Sequence, residues 1–354
     1  MRRRSVRLGL LISMTLVLTL GAGPALACGG LVGPGGTVKL ARTTTLAAWH
    51  DGIEHYITSF EYAGGGAEFG SIVPLPGVPA KVEKGGEWTL QRLIRETQPQ
   101  PELFAADAAG AARASAPAEE ILKAQVDALD ITVLRGGGKA VGDWAREHGF
   151  GLSPDAPEVL DFYADRSPIF MAAAFNPERA EGRGQSLGQG TPVHLTIPTP
   201  NPWVPLRILG LGLTDDEQVQ ADVYLLTDRR PAMLPTPTLN GPGTRLAHSA
   251  PATGTLLADL RSDKGMDWLP ASDMWLSWLQ IDTTAGQLRN DLAMDLSGRR
   301  QPSRVAAGLA ASEPVAALGG RPVELWPWAL VALGLATVVT AGWATRRGLK
   351  GDRR

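Results

Sequence analysis

The end of this chain constrains its fold more than any other feature. Leu325 to Ala344, "LWPWALVALGLATVVTAGWA", is apolar or small throughout. About twenty such residues suffice to cross a hydrocarbon core as a helix. Trp326, Trp328 and Trp343 stand near its two ends, where amphipathic rings favour a membrane interface. Pro327 falls in the first turn, where its missing N–H costs little. "TRRGLKGDRR" follows, and its Arg and Lys residues are expected to stay cytoplasmic. The alternative, a buried helix of a soluble fold, is disfavoured by a continuous apolar run beside a basic flank.

The other end reads as a secretory leader. Met1-Arg2-Arg3-Arg4 and Arg7 precede an apolar run from Leu8 to Leu20, then Gly-Ala-Gly-Pro and the small-residue pattern Ala25-Leu26-Ala27. A basic start, a short apolar stretch and an A-x-A site are the parts of a signal peptide. The run is short for a membrane anchor and ends in Gly and Pro. The sequence therefore divides into a signal peptide (1–27), an extracytoplasmic domain (28–300), an Ala/Gly/Pro-rich linker (301–322), a transmembrane helix (323–345) and a basic cytoplasmic tail (346–354). The expected location is the cell membrane, single-pass, with the domain outside the cytoplasm and the lipid bilayer as a partner.

Cys28 is the only cysteine in the chain. Cleavage after Ala27 makes it the first residue of the mature protein. It is then either lipidated, as in bacterial lipoproteins, or a free N-terminal thiol. Lipoprotein signals usually carry Leu where this chain has Ala25, and the C-terminal helix already supplies an anchor, which favours the free thiol. No intrachain disulfide can form, so the domain must hold together by packing alone.

Charge narrows the partners. The whole chain carries −2 at pH 7. The leader contributes four positive charges (Arg2, Arg3, Arg4, Arg7). The tail contributes four net (Arg346, Arg347, Lys350, Arg353 and Arg354, less Asp352), which leaves about −10 on the segment between. Such a surface argues against nucleic acid and against adhesion to anionic lipid.

Between the two ends the strongest local signal is "TTTLAAWHDGIEHYITSFEY", Thr43 to Tyr62. Asp51-Gly52 suits a type I′ turn, which needs positive φ at both central residues. The turn predicts Trp49 opposite Glu54 and Ala48 opposite His55. A third strand is expected over 68–73, ending at "VPLPGVP", where the prolines cannot continue a central ladder. "EWTLQRLIRET" has helical spacing, stopped by Pro99 and Pro101. Pro99 to Glu119 reads as an Ala-rich surface excursion. "ITVL" (131–134) reads as a buried strand, "AVGDWAREHG" as a helix closed by Gly149, and "SPDAPEVLDFYAD" as a helix with Ser153 at the N-cap and Pro154 at N1. "IFMAAAF", "TPVHLTIPTP", "PLRILGLGL", "VQADVYLLTD", "MWLSWLQIDT" and "DLAMDL" read as further strands. The expected fold class is α+β or mainly β, an antiparallel sheet-rich ectodomain with a few short helices and one C-terminal transmembrane helix.

The motifs resemble a family of uncharacterised exported bacterial proteins known only as a domain of unknown function. The residues that carry the likeness are "ACGG" at 27–30, "EYAGGGAEFGSIVPLPGVP" at 61–79, "ITVLRGGG…WAREHGF", "VLDFYAD…IFMAAAF", "PLRILGLG…VYLLTD" and "WLSWLQID…LRNDLAMDL". They cover most of 27–296. Members often follow "CGG" with two aromatic residues and a second cysteine, where this chain has Leu31-Val32-Gly33. The resemblance implies a family and no activity.

No residue pattern names a reaction. His50 and His55 flank the hairpin turn and, with Asp51 and Glu54, are the candidates for a metal site. Their spacing is not HExxH, and they are read chiefly as polar hairpin residues. His148 is placed at a helix end, His194 within a strand and His248 in a turn-rich segment, each without a visible partner. "RGGGKAVG" (135–142) lacks the spacing of a phosphate loop and the Ser/Thr after Lys139. No G-x-S-x-G and no S-x-x-K occurs. Asp107, Asp143, Asp161 and Asp165 have no EF-hand order. Trp88, Trp144, Trp268, Trp275 and Trp278 fit core positions as well as sugar stacking. No catalytic residue, cofactor or metal is assigned, and Cys28 is the one candidate for modification. The expected role is a non-catalytic binding or scaffolding domain of the cell envelope, with an unknown envelope partner. The alternative is an envelope hydrolase whose site is assembled from distant residues.

Overall fold

The Asp51-Gly52 turn sets the centre of the molecule. Asp51 has φ 49° and Gly52 φ 81°, the positive pair that a type I′ turn requires. The strands Arg42–His50 and Ile53–Phe60 pair across it with Trp49 opposite Glu54 and Ala48 opposite His55. The structure, a computed structural model, describes residues 25–26, 30–33, 36–37, 42–60, 64–66, 70–98, 108–109, 119–184, 191–240 and 243–310. The leader as far as residue 24, Cys28, most of the Ala-rich 99–119 segment, the Leu325–Ala344 run and the basic tail lie outside the described residues. Among the described residues no helix is long and apolar enough to cross a membrane.

The hairpin forms the middle of one sheet. Its strand order is Gly243–Pro251, Trp275–Thr284, Gln218–Thr227, Arg42–His50, Ile53–Phe60, Thr191–Pro198, Lys81–Lys84, with Ala25–Leu26 alongside Arg42–His50. The contact between Gln218–Thr227 and Arg42–His50 is parallel; the others along that order are antiparallel. A second, fully antiparallel sheet runs Glu119–Val126, Leu129–Arg135, Ile169–Phe175, Gly70–Pro74, Gly30–Gly33, Gly36–Thr37. A small sheet joins Trp203–Val204, Leu292–Asp295 and Ala232–Leu234. Among the described residues five helices complete the fold: α1 (Thr89–Thr97), α2 (Gly138–Glu147), α3 (Ala156–Ala164), α4 (Pro177–Gly182) and α5 (Gly254–Arg261).

Burial assigns four layers. Tyr56, Leu195, Val223 and Leu225 of the first sheet share one apolar cluster with Val73, Ile131, Val133 and Met171 of the second. The outer face of the first sheet offers Leu46, Ala48, Ile57 and Tyr224 to Leu93 of α1 and Leu257 and Leu260 of α5. The outer face of the second offers Ile72, Leu134 and Phe170 to Val141 and Trp144 of α2 and Leu160 and Tyr163 of α3. Central strands covered on both faces have apolar side chains on both, as "IFMAAAF" and "VYLLT" show.

Several expectations are corrected. The strand expected over 68–73 is present as Gly70–Pro74, and it pairs with Ile169–Phe175 and Gly30–Gly33 in the second sheet. "PLRILGLGL" is not a strand; Arg207–Gly210 is a 3-10 turn. Its N–H groups are taken by side chains: Asp291 Oδ1 accepts from Leu206 and Arg207, and Tyr163 Oη accepts from Ile208. The third helix begins at Ala156, with Asp155 rather than Ser153 at its N-cap. His248 lies in an edge strand opposite Trp278, not in a turn. The first residues of the Ala/Gly/Pro-rich stretch pack on the domain. Ala306 and Ala307 are buried, Arg166 Nη1 donates to Ala306 O at 2.6 Å, and Asp291 N donates to Ala307 O at 3.1 Å.

Candidate functional site

One face of the first sheet carries a polar row toward the turn end of the hairpin. Asp228 follows the Gln218–Thr227 strand, His50 ends Arg42–His50, His55 lies on Ile53–Phe60, His194 on Thr191–Pro198 and Glu83 on Lys81–Lys84. These are five neighbouring strands. The alternation of side chains along each strand puts His50 and His55 on the same face as Leu46, Ala48 and Ile57, the face that α1 and α5 cover.

The row has a buried half and a reachable half. His55 Nδ1 and His194 Nε2 lie 2.9 Å apart. Trp268 stacks on His55 with ring centroids 3.6 Å apart and planes 4° from parallel. His194 Nδ1 sits 3.8 Å from Glu83 Oε1 and has no hydrogen-bond partner. Glu83 favours a proton on that Nδ1, which leaves Nε2 to accept from His55 Nδ1–H. Burial, reinforced by the charges His194 and His50 would carry, lowers the His55 pKa from 6.5 to about 3. Burial lowers His194 to about 4, partly opposed by Glu83. Both rings are neutral at physiological pH.

His50 closes the row at the surface. Its Nδ1–H donates to Asp228 Oδ1 at 2.6 Å, and its Nε2 is 3.5 Å from Asp51 Oδ2. The side chains of His50, Asp51 and Asp228 are 31%, 86% and 27% exposed. One ligand atom from each lies within 4.8 Å of the others.

The sequence candidates thus separate. His50 and Asp51 come together, and Asp228 joins them. His55 turns to His194 and Trp268. Glu54 points to the opposite face of its strand, into the space between the two sheets. There it is fully buried, and neither carboxylate oxygen has a hydrogen-bond partner. Burial raises its pKa to about 8. The Trp203 backbone N–H opposes that rise but does not close a hydrogen bond to it.

The remaining candidates serve the fold. His148 caps α2, with Nδ1 2.9 Å from Trp144 O and its ring stacked on Trp144. The 135–142 stretch is a strand-to-helix turn. A side chain at Gly138 would strike Asp161 Oδ1 at 2.3 Å, so glycine lets α2 approach α3. Lys139 pairs with Asp143 on the helix surface. Trp144 is buried in the α2–α3 cluster, and Trp278 donates to Asp222 Oδ1 at 2.8 Å. Sequence reasoning does not single out Asp228 or Glu83, and it weighs Trp268 only as a core or stacking tryptophan. No local pattern ties them to the hairpin; only strand order does.

No curated protein matches the chain significantly. A crystal structure of a mutated baculovirus P35 after caspase cleavage, at 2.7 Å resolution, aligns with a TM-score of 0.39 and 8% identity over 72% of this chain and 98% of that one. A chain of the crystal structure of the caspase-8/P35 complex aligns with a TM-score of 0.37 and 8% identity over 72% of this chain and 95% of that one. The family expected from the "ACGG" and "VPLPGVP" motifs is found: the model described as "Uncharacterized protein conserved in bacteria (DUF2330)" matches residues 22–236, and the chain belongs to that family.

Proposed function

We propose that this is an exported, membrane-tethered protein of the cell envelope whose folded domain binds a partner rather than transforming one. The leader and the Leu325–Ala344 run support the tether. The division of the histidine row carries the binding half of the reading. His55 and His194 are part of the core, with pKa values near 3 and 4. Proton transfer near neutral pH calls for a group that titrates there and reaches substrate. The third ring, His50, stands at the surface beside two carboxylates on a rigid turn, an arrangement suited to recognition.

Topology and turnover test the two halves separately. Protease added to intact spheroplasts should digest the domain and leave a short C-terminal fragment. A protected domain overturns the tethered orientation. The purified full chain should not turn over chromogenic ester, phosphate or glycoside substrates. Turnover that disappears in His50→Ala overturns the binding reading and favours a hydrolase.

A further inference from the structure

We infer that His50 and Asp51 form an open site for a borderline divalent transition metal of the zinc or copper class, with Asp228 as the positioning residue behind the imidazole. The inference rests on the reading of this domain as a binding module and names what is bound.

Three observations converge. The first is the tautomer. Asp228 Oδ1 can only accept, so the 2.6 Å contact places the proton on His50 Nδ1 and leaves the lone pair on Nε2. A carboxylate bonded to the far nitrogen of a metal-ligating histidine is the usual second-layer partner: it fixes the ring and raises its basicity. The second is the separation on the other side of the ring. His50 Nε2 and Asp51 Oδ2 are 3.5 Å apart, too far for a good hydrogen bond. Two ligand atoms each about 2.0–2.2 Å from one ion span that distance at an angle of about 115°, close to tetrahedral. The third is rigidity. Asp51 sits in the left-handed region of the turn with φ 49°, and both flanking strands are paired on either side. The Asp51 backbone is thereby set beside that of His50, and its carboxylate lies 3.5 Å from the ring nitrogen.

The donor set selects the metal. One imidazole nitrogen and one carboxylate oxygen suit zinc or copper better than calcium or magnesium, which prefer oxygen alone. Two protein ligands leave two or more positions for water or for a ligand from a partner. His55 and His194 lie outside the set: among the described residues only His50, Asp51 and Asp228 bring ligand atoms within 4.8 Å of one another.

The test uses the untagged full chain in detergent, stripped with chelator and titrated with Zn²⁺ or Cu²⁺ alone. The expected result is one equivalent bound, with a Cu²⁺ EPR spectrum coupled to a single nitrogen. His50→Ala and Asp51→Asn should each weaken binding at least tenfold, and His148→Ala, which alters a half-buried histidine on another element, should leave it unchanged. Asp228→Asn should weaken binding about 10- to 100-fold. It should also move the proton between the ring nitrogens of His50, seen by ¹⁵N chemical shifts of the metal-free protein. Binding that survives His50→Ala, absence of a stoichiometric site, or coupling to two or more nitrogens would each overturn the assignment. Metal titration reads no turnover, so its failure is distinguishable from failure of the binding reading, which turnover lost in His50→Ala would show.

Discussion

Replacing Glu54 with Gln should stabilise the protein, and should do so only when the pH is high enough. Glu54 lies fully buried between the two sheets with both oxygens unpartnered, and burial raises its pKa from 4.5 to about 8. The folded chain therefore keeps a proton that the unfolded chain gives up above pH 4.5. Stability falls as pH rises from 4.5 toward 8, because the folded state binds more protons across that window, and levels off beyond it. At 1.36 kcal/mol per pH unit, the loss is about 3 kcal/mol at pH 7 and about 4 kcal/mol at pH 8. Gln has nearly the same shape and no proton to lose. Urea denaturation of wild type and Glu54→Gln from pH 5 to pH 9 should show similar stability at pH 5 and a gap that widens to about those values. The difference between the two curves cancels every other titrating group that the substitution leaves alone. Parallel pH profiles would refute the reasoning, and would mean that the carboxylate is ionised and solvated in the folded protein.

Three other outcomes follow from the geometry. Gly52→Val should cost about 1–3 kcal/mol in chemical denaturation, as strain alone, since a Cβ there meets nothing within 4 Å. Asp291→Ala should cost about 3–5 kcal/mol: Arg166 is 4% exposed and would be left buried without the carboxylate it now meets at 2.5 Å. Equal stability of that variant by thermal melting would contradict the network. On the acid side the sign reverses relative to Glu54. His55 and His194 titrate at about 3 and 4 when folded, against 6.5 ordinarily. Their contribution is complete above pH 6.5 and is lost as pH falls toward those values. His194→Gln should therefore flatten the decline between pH 6.5 and pH 4, read from melting temperatures across that range.

What the sequence made legible was local. A type I′ turn needs only two residues, Asp51 and Gly52, and from it the register of Trp49 against Glu54 follows by counting. The helix stopped before Pro99, the strand around Ile131–Leu134 and the helix closed by Gly149, with φ 84°, likewise depend on neighbours in the chain. The misreadings have a different physics. "PLRILGLGL" has a strand's apolar content, but distant Asp291 and Tyr163 take the N–H groups that a ladder would need. Asp155 displaced Ser153 from the start of α3, and its carboxylate bonds to Gly212 N across 57 residues. The edge strand Gly243–Pro251 and the helix Gly254–Arg261 went unread because neither shows a strong period. Every residue in that strand is partly or wholly exposed, and only three of the eight helix residues, Leu256, Leu257 and Leu260, are buried.

The candidate site lies at the boundary between these two kinds of information. His50, Asp51 and His55 were found because they flank a recognisable turn. Their partners stand 178 and 139 residues away, Asp228 for His50 and His194 for His55. A strand covered on both faces has no alternation to reveal which of its polar side chains faces which layer. "VYLLTD" therefore gave no reason to place Asp228 beside the hairpin. Strand order does: Gln218–Thr227 runs parallel to Arg42–His50 with Thr227 opposite Trp49, so the next residues, Asp228 and His50, emerge together. A parallel neighbour cannot be joined by a tight turn and needs a long crossover. The contact that orients the His50 ring is therefore necessarily remote in sequence.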